Sequence, residues 1–381
     1  MLAIAVGAGA MIILFSIFNG FENLIKDLYK AFYPEIKITP ATGKFFALDR
    51  EKFSALKSIN GISAITTVIE DNVLLNSDEE QVVAVLKGID NQYTSVNNIK
   101  PYIYEGADSV IVSPIPTALV GLHIANRLGI ETTNVFSRIS VYYPNTEAKN
   151  IALNPQSAFQ NLQLRPDGIF RVQDEFDQKY ILAPIQLVQK LFLQEDKYSS
   201  IEIGLSPGTN DDEIKSKIQK LLGNNFIVAT RFEQNRTLYM VMQTEKWVVY
   251  AILLLVLLIA SFNMVGALTM LVLEKQKDIA ILKAMGAPTN TIRKVFISEG
   301  MLWAFVGGSF GLIVGGLVCL GQQHYQWIKL TGGFIIEAYP VALQFTDFVV
   351  VILTVLLVGI AAAAYPALRA TKVQDPSLKA D

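Results

Sequence analysis

The chain has 381 residues, 51% of them hydrophobic, and a formal net charge of -2, with a mean hydropathy of +0.37. That is too apolar for an ordinary soluble domain of this length, and the near balance of charge, without a Lys/Arg block, offers no basic face to nucleic acid. The single Cys319 excludes an intrachain disulfide, and His123 and His324 have no ligand-spaced Cys or carboxylate cluster beside them, so no metal site is expected.

A helix needs about 20 predominantly apolar residues to cross a hydrocarbon core of about 30 Å. Four stretches qualify: residues 1–21, 247–273, 295–320 and 348–366. The first has no charge before Glu22. Ala8-Gly9-Ala10 imitates a cleavage site, but there is no basic lead-in and the apolar run goes on to Phe18, which reads as a retained helix and not a cleaved signal. A span normally has cytoplasmic residues ahead of it, so chain preceding Met1 is expected. The fold class that follows is an α-helical membrane protein with four transmembrane helices and a large α+β periplasmic domain, residues 22–246, between the first and second spans.

Orientation comes from the basic residues. The loop at 274–294 holds Lys275, Lys277, Lys283, Arg293 and Lys294, and the tail at 367–381 holds Arg369, Lys372 and Lys379. The positive-inside rule puts both in the cytoplasm, which sends 22–246 to the periplasmic side together with a short loop at 321–347.

Within the third span, Gly307, Gly311 and Gly315 recur every four residues on one helix face, with Gly308 and Gly316 beside them. Such a ladder lets another helix approach closely, either as packing inside the chain or as a moving permease interface. Glu299 falls about one turn into the same span, close enough to the surface to reach water; proton-relay chemistry would need further intramembrane acids.

The large segment switches between strand and helix periodicity. Strands are predicted at 35–39, 82–89, 109–112, 135–142, 168–172, 180–182, 200–205 and 226–229. Helices are predicted after an Asp49 cap, at 118–128 closed by Gly129, at 185–193, and at 213–222 after a cap at Thr209 or Asn210, stopped by Gly223. The pattern repeats as two sets, suggesting two lobes. Residues 22–32 continue the first span without a breaker, and 231–246 enter the second likewise. Glycine-bearing pieces such as SPGTND lack the lysine and the strand-then-helix setting of a phosphate loop, and neither GxSxG nor HExxH occurs. Nucleotide energy, if used, comes from another subunit.

The loop EKQKDIAILKAMGAPTNTIRK carries a short amphipathic helix. Ile279, Leu282 and Met285 project to one face, Gly286 can end the helix, and Pro288 blocks its continuation. The pattern suits a helix resting in the lipid interface as well as one docking on a partner.

EKQKDIAILKAMGA closely resembles the segment after the second span in lipoprotein-releasing permeases of the LolC/LolE type, within the wider group that includes the MacB and FtsX permeases. So do SIFNGFEN at 16–23, the run RTLYMVMQTEKWVVYAILLLVLLIASFNMVGALTMLVLEK, and the terminal YPALRATKVQDPS. The resemblance is specific at both ends of the chain and rests on layout alone over most of 34–230. It implies a type VII ABC transporter permease that is itself non-catalytic. A separate cytoplasmic ATPase, carrying ATP and Mg, would bind through the short helix. Two permeases would pair, as a homo- or heterodimer, in the inner membrane and extract lipoproteins for a periplasmic carrier.

By that carry-over Glu274, Lys275, Asp278, Ile279, Ile281, Leu282, Met285 and Gly286 form the coupling helix. A cleft for acyl chains would draw on Phe15, Phe18, Phe21, Phe262, Met264 and Leu268, residues that lipid-facing packing explains equally well. Residues 165–180 fall where carrier-binding permeases place a protruding loop. An FtsX-like regulator of a periplasmic hydrolase and a MacB-like efflux permease share the four-span plan and stand as alternatives.

Overall fold

The computed structural model describes residues 1–47, 49–77, 80–110, 116–132, 134, 137–145, 158–330 and 338–372. The uncharged run at the start folds as α1 (Leu2–Tyr29), which passes the last apolar residues without a breaker, as its composition predicts. Contacts divide the chain into a unit of Met1–Ile25 with Leu238–Asp381 and a unit of Lys26–Thr237.

The second unit is α+β. Its strands are β1 (Ile36–Pro40), β2 (Phe46–Ala47), β3 (Ile62–Ser77), β4 (Glu80–Ile89), β5 (Ile103–Gly106), β6 (Thr117–Gly121), β7 (Ile139–Pro144), β8 (Phe159–Phe170), β9 (Tyr180–Pro184), β10 (Lys197–Tyr198), β11 (Ser200–Leu205) and β12 (Phe226–Thr230). Between them lie α2 (Arg50–Lys57), α3 (Tyr93–Val96), α4 (Leu122–Arg127), α5 (Asp174–Asp177), α6 (Ile185–Leu191) and α7 (Asp211–Leu222), and α8 (Arg231–Gln234) closes the unit. Caps read from sequence are in place: Asp49 accepts from the Glu51 amide at the start of α2, and Asn210 from the Asp212 and Glu213 amides at the start of α7. Gly223 ends α7 at φ 75, where a side chain would be strained.

The two expected sets of elements share a ten-stranded sheet, ordered β12-β1-β11-β3-β4-β9-β6-β8-β5, with β7 pairing both β3 and β8, while β10 pairs β2 apart from it. The sixteen-residue β3 is the reason. Its first half, Ile62 to Val68, pairs with β11, and the rest, Val68 to Ser77, pairs with β4, so one strand belongs to both sets. Two hydrophobic cores sit on that sheet. One gathers Ile36, Ile38, Leu56, Ile203 and Ile218; the other gathers Ile69, Leu86, Val120, Leu164 and Val188.

Three local expectations change. Residues 118–121, predicted as the start of a helix, belong to the fully buried strand β6, and only Leu122–Arg127 is helical. An unbroken apolar run is what a strand buried on both faces requires, and periodicity does not separate it from a buried helix. Residues 165–180 are no protruding loop: they are the end of β8, the helix α5 and the start of β9. Ser109 and Val110 lie outside any strand, the remainder of that predicted strand (111–112) lies outside the described residues, and the strand expected from 135 begins at Ile139, with 135 and 136 likewise outside them.

The remaining helices are α9 (Arg236–Glu274), α10 (Gln276–Ala284), α11 (Thr289–Tyr325) and α12 (Phe345–Thr371). The entry into α9 is interrupted. Thr230 and Glu233 form a reciprocal capping box that makes α8 a separate turn, and Asn235 leaves it at φ -126, ψ 37. Among the described residues four helices, α1, α9, α11 and α12, are long and apolar enough to cross a membrane. They share a core built from Met11 and Phe15 of α1, Leu257 and Leu268 of α9, Leu312 of α11, and Val351 and Val355 of α12. The glycine ladder packs within the chain. A methyl on Gly311 would fall 2.1 Å from the Ala5 carbonyl oxygen, and one on Gly315 would meet Ile12 and Gly9 of α1, whereas Gly308 faces Val355 of α12. Glu299 accepts from the Trp303 indole at 2.7 Å.

Candidate functional site

The short helix between α9 and α11 is built at both ends by backbone geometry. Glu274 is the last residue of α9 and Lys275 the cap of α10, so these two sit at the junction and not within the helix. Met285 caps the other end and Gly286 turns the chain at φ 87, a conformation glycine adopts freely. Lys283 donates to the carbonyl of Thr371 at 2.7 Å, tying α10 to the last turn of α12, and Lys275 pairs with Asp278 at 3.2 Å.

The predicted apolar face divides in two. Ile279 is buried, packed with Val272, Ile292, Phe296, Ala367 and Ala370, and so is unavailable to a partner. Ile281, Leu282 and Met285 point outward, with Met285 78% exposed. Ile281 and Leu282 stand four and three residues before Met285, so the three form one patch across adjacent turns. An inner anchor and an outer apolar patch let a helix of this length hold its place and still offer a surface.

The predicted cleft is only partly assembled. Phe18 and Phe21 line a cavity of about 410 Å³ with Leu14, Ile17, Met242 and Lys246, and Phe21 meets Tyr339 edge to face at 5.2 Å. Phe15 stacks on Tyr250 in the helix core, where Met264 and Leu268 are also buried. Phe262 is 71% exposed on the outer side of α9. Helical phase separates these residues: positions along a single helix do not say which face its neighbours cover.

The α+β unit holds a group that sequence reading passed over. Lys87 is buried and donates to Glu202, also buried, at 2.8 Å; the Asn97 amide donates to the other Glu202 oxygen at 2.5 Å. Glu70 lies 3.9 Å from Lys87 and 3.0 Å from Lys37. Burial opposes the charge on Lys87, but the Glu202 carboxylate, with Tyr93 and Glu70 behind it, outweighs burial and holds its pKa well above the usual lysine value. Burial likewise opposes the Glu70 carboxylate, and Lys37 and Lys87 overcome it, lowering its pKa to about 2. Because the folded value lies below the unfolded 4.5, Glu70 stabilises the fold above pH ~4.5, and that contribution is lost as pH falls from there through about 2. Amide protection in β3 and β4, taken relative to the intrinsic exchange rate at each pH, should therefore fall across this window in the full chain. In Glu70→Gln, already weakened at neutral pH, it should change less.

Sequence gave no hint of this cluster, because its members are spread from Lys37 to Glu202 and meet only through sheet pairing. The unit also pairs His123 with Asp174 at 2.9 Å, beside the buried Asp177, whose pKa burial raises to about 6.

Four long apolar helices with a short capped helix between two of them, and an α+β unit built on a ten-stranded sheet, define a multi-pass membrane permease. Residues 1–221 match the MacB-like periplasmic core domain, and residues 250–374 match the FtsX-like permease C-terminal region. The chain is 27% identical to the lipoprotein-releasing system transmembrane protein LolC of Buchnera aphidicola, over 100% of this chain and 92% of that protein. LolC of Xylella fastidiosa is 24% identical over 98% of this chain and 91% of its own. LolE of Haemophilus influenzae is 25% identical over the same shares of both. The chain belongs to the MacB/FtsX-like family of ABC transporter permeases and is of the LolC/LolE type.

Proposed function

We propose that the chain is the permease subunit of an inner-membrane ABC transporter that extracts lipoproteins and passes them to a periplasmic carrier. Lys277 and Lys283 lie on α10, Lys275, Arg293 and Lys294 lie to either side of it, and Arg369 and Lys372 close α12, so the positive-inside rule sets these ends in the cytoplasm and the α+β unit in the periplasm. ATP, with Mg, is bound and hydrolysed on a partner ATPase, and a second permease completes the transporter. Glu274, Lys275, Asp278, Ile279, Ile281, Leu282, Met285 and Gly286 form the coupling segment. In it Ile279 fixes the helix to the bundle and Ile281, Leu282 and Met285 enter the ATPase groove.

The observation that carries this reading is the exposed apolar patch on α10, in a chain that aligns along its whole length with LolC relatives. A multiply acylated anchor is held in a bilayer by about 0.8 kcal/mol per buried CH₂, so its removal needs work done by another component. The cavity edged by Phe18 and Phe21 gives an acyl chain a mostly apolar lining, with Glu22, Glu245 and Lys246 as its charged members.

Leu282→Asp or Met285→Asp buries a charge at the partner surface and is expected to weaken ATPase association by about 2 kcal/mol, roughly thirtyfold, without affecting insertion. Co-purification of the ATPase with each variant measures this, and unchanged recovery would remove α10 from the coupling role. Depletion of the protein in its host, followed by mass spectrometry of separated inner and outer membranes, tests the transport itself. Acylated proteins should accumulate in the inner membrane. Normal sorting with altered cell separation would assign the chain to FtsX-like regulation, and altered drug sensitivity to MacB-like efflux.

A further inference from the structure

Three polar side chains join α1, α9 and α12 where an apolar bundle has no need of them. Asn19, fully buried on α1, donates through Nδ2 to Asp347 Oδ2 at 2.5 Å and to the Ala342 carbonyl at 3.3 Å. Its Oδ1 accepts from Lys246 Nζ at 2.8 Å, and that ammonium lies 3.9 Å from Asp347 Oδ1. Asp347 is buried in the first turn of α12, where the helix dipole favours a carboxylate. Chain direction explains the meeting: Asn19 lies near the end of the first apolar run, whereas Lys246 and Asp347 immediately precede the second and fourth.

Asn19 is the connector because an amide both donates and accepts, so it can satisfy an anion and a cation at once. A buried carboxylate or ammonium is retained only where partners replace its water, and here each group's partner sits on a different helix. Lys246 also borders a cavity. It lines the cavity with Leu14, Phe18, Phe21 and Met242, so the cavity cannot widen between α1 and α9 without drawing the ammonium away from Asn19.

We propose that Asn19, Lys246 and Asp347 form a polar latch that holds this cavity narrow, and that its release widens the cavity for an apolar chain. The test uses the full-length protein in lipid nanodiscs, with Cys319→Ala and a reporter Phe18→Cys in the cavity wall, and reads the rate of labelling by a small maleimide. Lys246→Glu or Asp347→Lys alone sets like charges together and should speed labelling about tenfold by populating the open form. The double exchange, Lys246→Glu with Asp347→Lys, restores opposite charges across an amide that can flip, and should return the rate to within about twofold of the parent. Single variants labelling at the parent rate would overturn the latch, and so would a double exchange labelling as fast as the singles. Should a single reversal fail to insert, Lys246→Met keeps the stem without the charge and carries the same expectation and the same refutation. The readout needs neither ATPase nor lipoprotein, so failure of the latch and failure of the transport reading are told apart.

Discussion

Gly311→Ala is expected to destabilise the membrane unit by about 3 kcal/mol, at the upper end of what one added methyl costs in a packed interior. The methyl would lie 2.1 Å from the Ala5 carbonyl oxygen, 2.8 Å from its carbon and 3.0 Å from its Cα. All three are backbone atoms, so no side-chain rotation relieves the clash and the two helices must separate. Between helices in lipid, association rests on close van der Waals approach, and separation forfeits contacts along the seam. Gly315→Ala should cost less, since the nearest atom, 2.4 Å away, belongs to the Ile12 side chain and the nearest backbone atom, the Gly9 oxygen, is 2.9 Å away. Gly266, with nothing within 4 Å, is the internal control: alanine there should be neutral or gain up to about 1 kcal/mol of helix propensity. Unfolding of the full chain by SDS in bicelles ranks the three. Equal losses at Gly266 and Gly311 would assign the effect to helix glycines in general and not to the approach of α1.

Lys87→Met should be the most damaging single change in the α+β unit, costing about 3–5 kcal/mol, because it leaves the carboxylate of Glu202 buried without its cation. Glu202→Leu should cost less, since Lys87 keeps Glu70 at 3.9 Å as a counter-charge. The pair together should lose less than the sum of the two, since the double variant leaves no uncompensated charge between them and the remaining stem packs against the rings of Phe32 and Tyr93. The three tryptophans, Trp247, Trp303 and Trp327, all lie outside this unit, so indole fluorescence would miss the transition. Amide exchange in β3 and β4 reports it directly. Strict additivity of the two single losses would mean that Lys87 and Glu202 do not act as a pair.

These changes act on different parts of the functional reading. The Gly311 seam places α1 against α11, and Asn19 on α1 then reaches Lys246 and Asp347. Changes at the seam and at the latch share that helix, so their effects on cavity labelling should couple and not simply add. Substitutions at Leu282 or Met285 lie on an outer surface with no such neighbours and should leave labelling unchanged while weakening ATPase recovery.

Some features were legible in the residues alone because their causes are local. Run length and polarity give the four apolar helices, the Asp49 and Asn210 side chains cap the amides beside them, and Gly286 with Pro288 bounds α10. The wording of EKQKDIAILKAMGA and SIFNGFEN likewise pointed to the family before any contact was known. Tertiary structure decided what depends on residues distant in sequence. Helical phase alone could not tell that Ile279 turns inward while Ile281 turns outward, because that depends on where α11 and α12 pack. Residues 118–121 became a strand because sheet partners on both sides satisfy their backbone groups. Lys87 with Glu202, and Asn19 with Asp347, meet across more than a hundred residues of chain. A buried charge is tolerable only once its partner is in place, and the partner's position is a property of the fold, not of the neighbouring sequence.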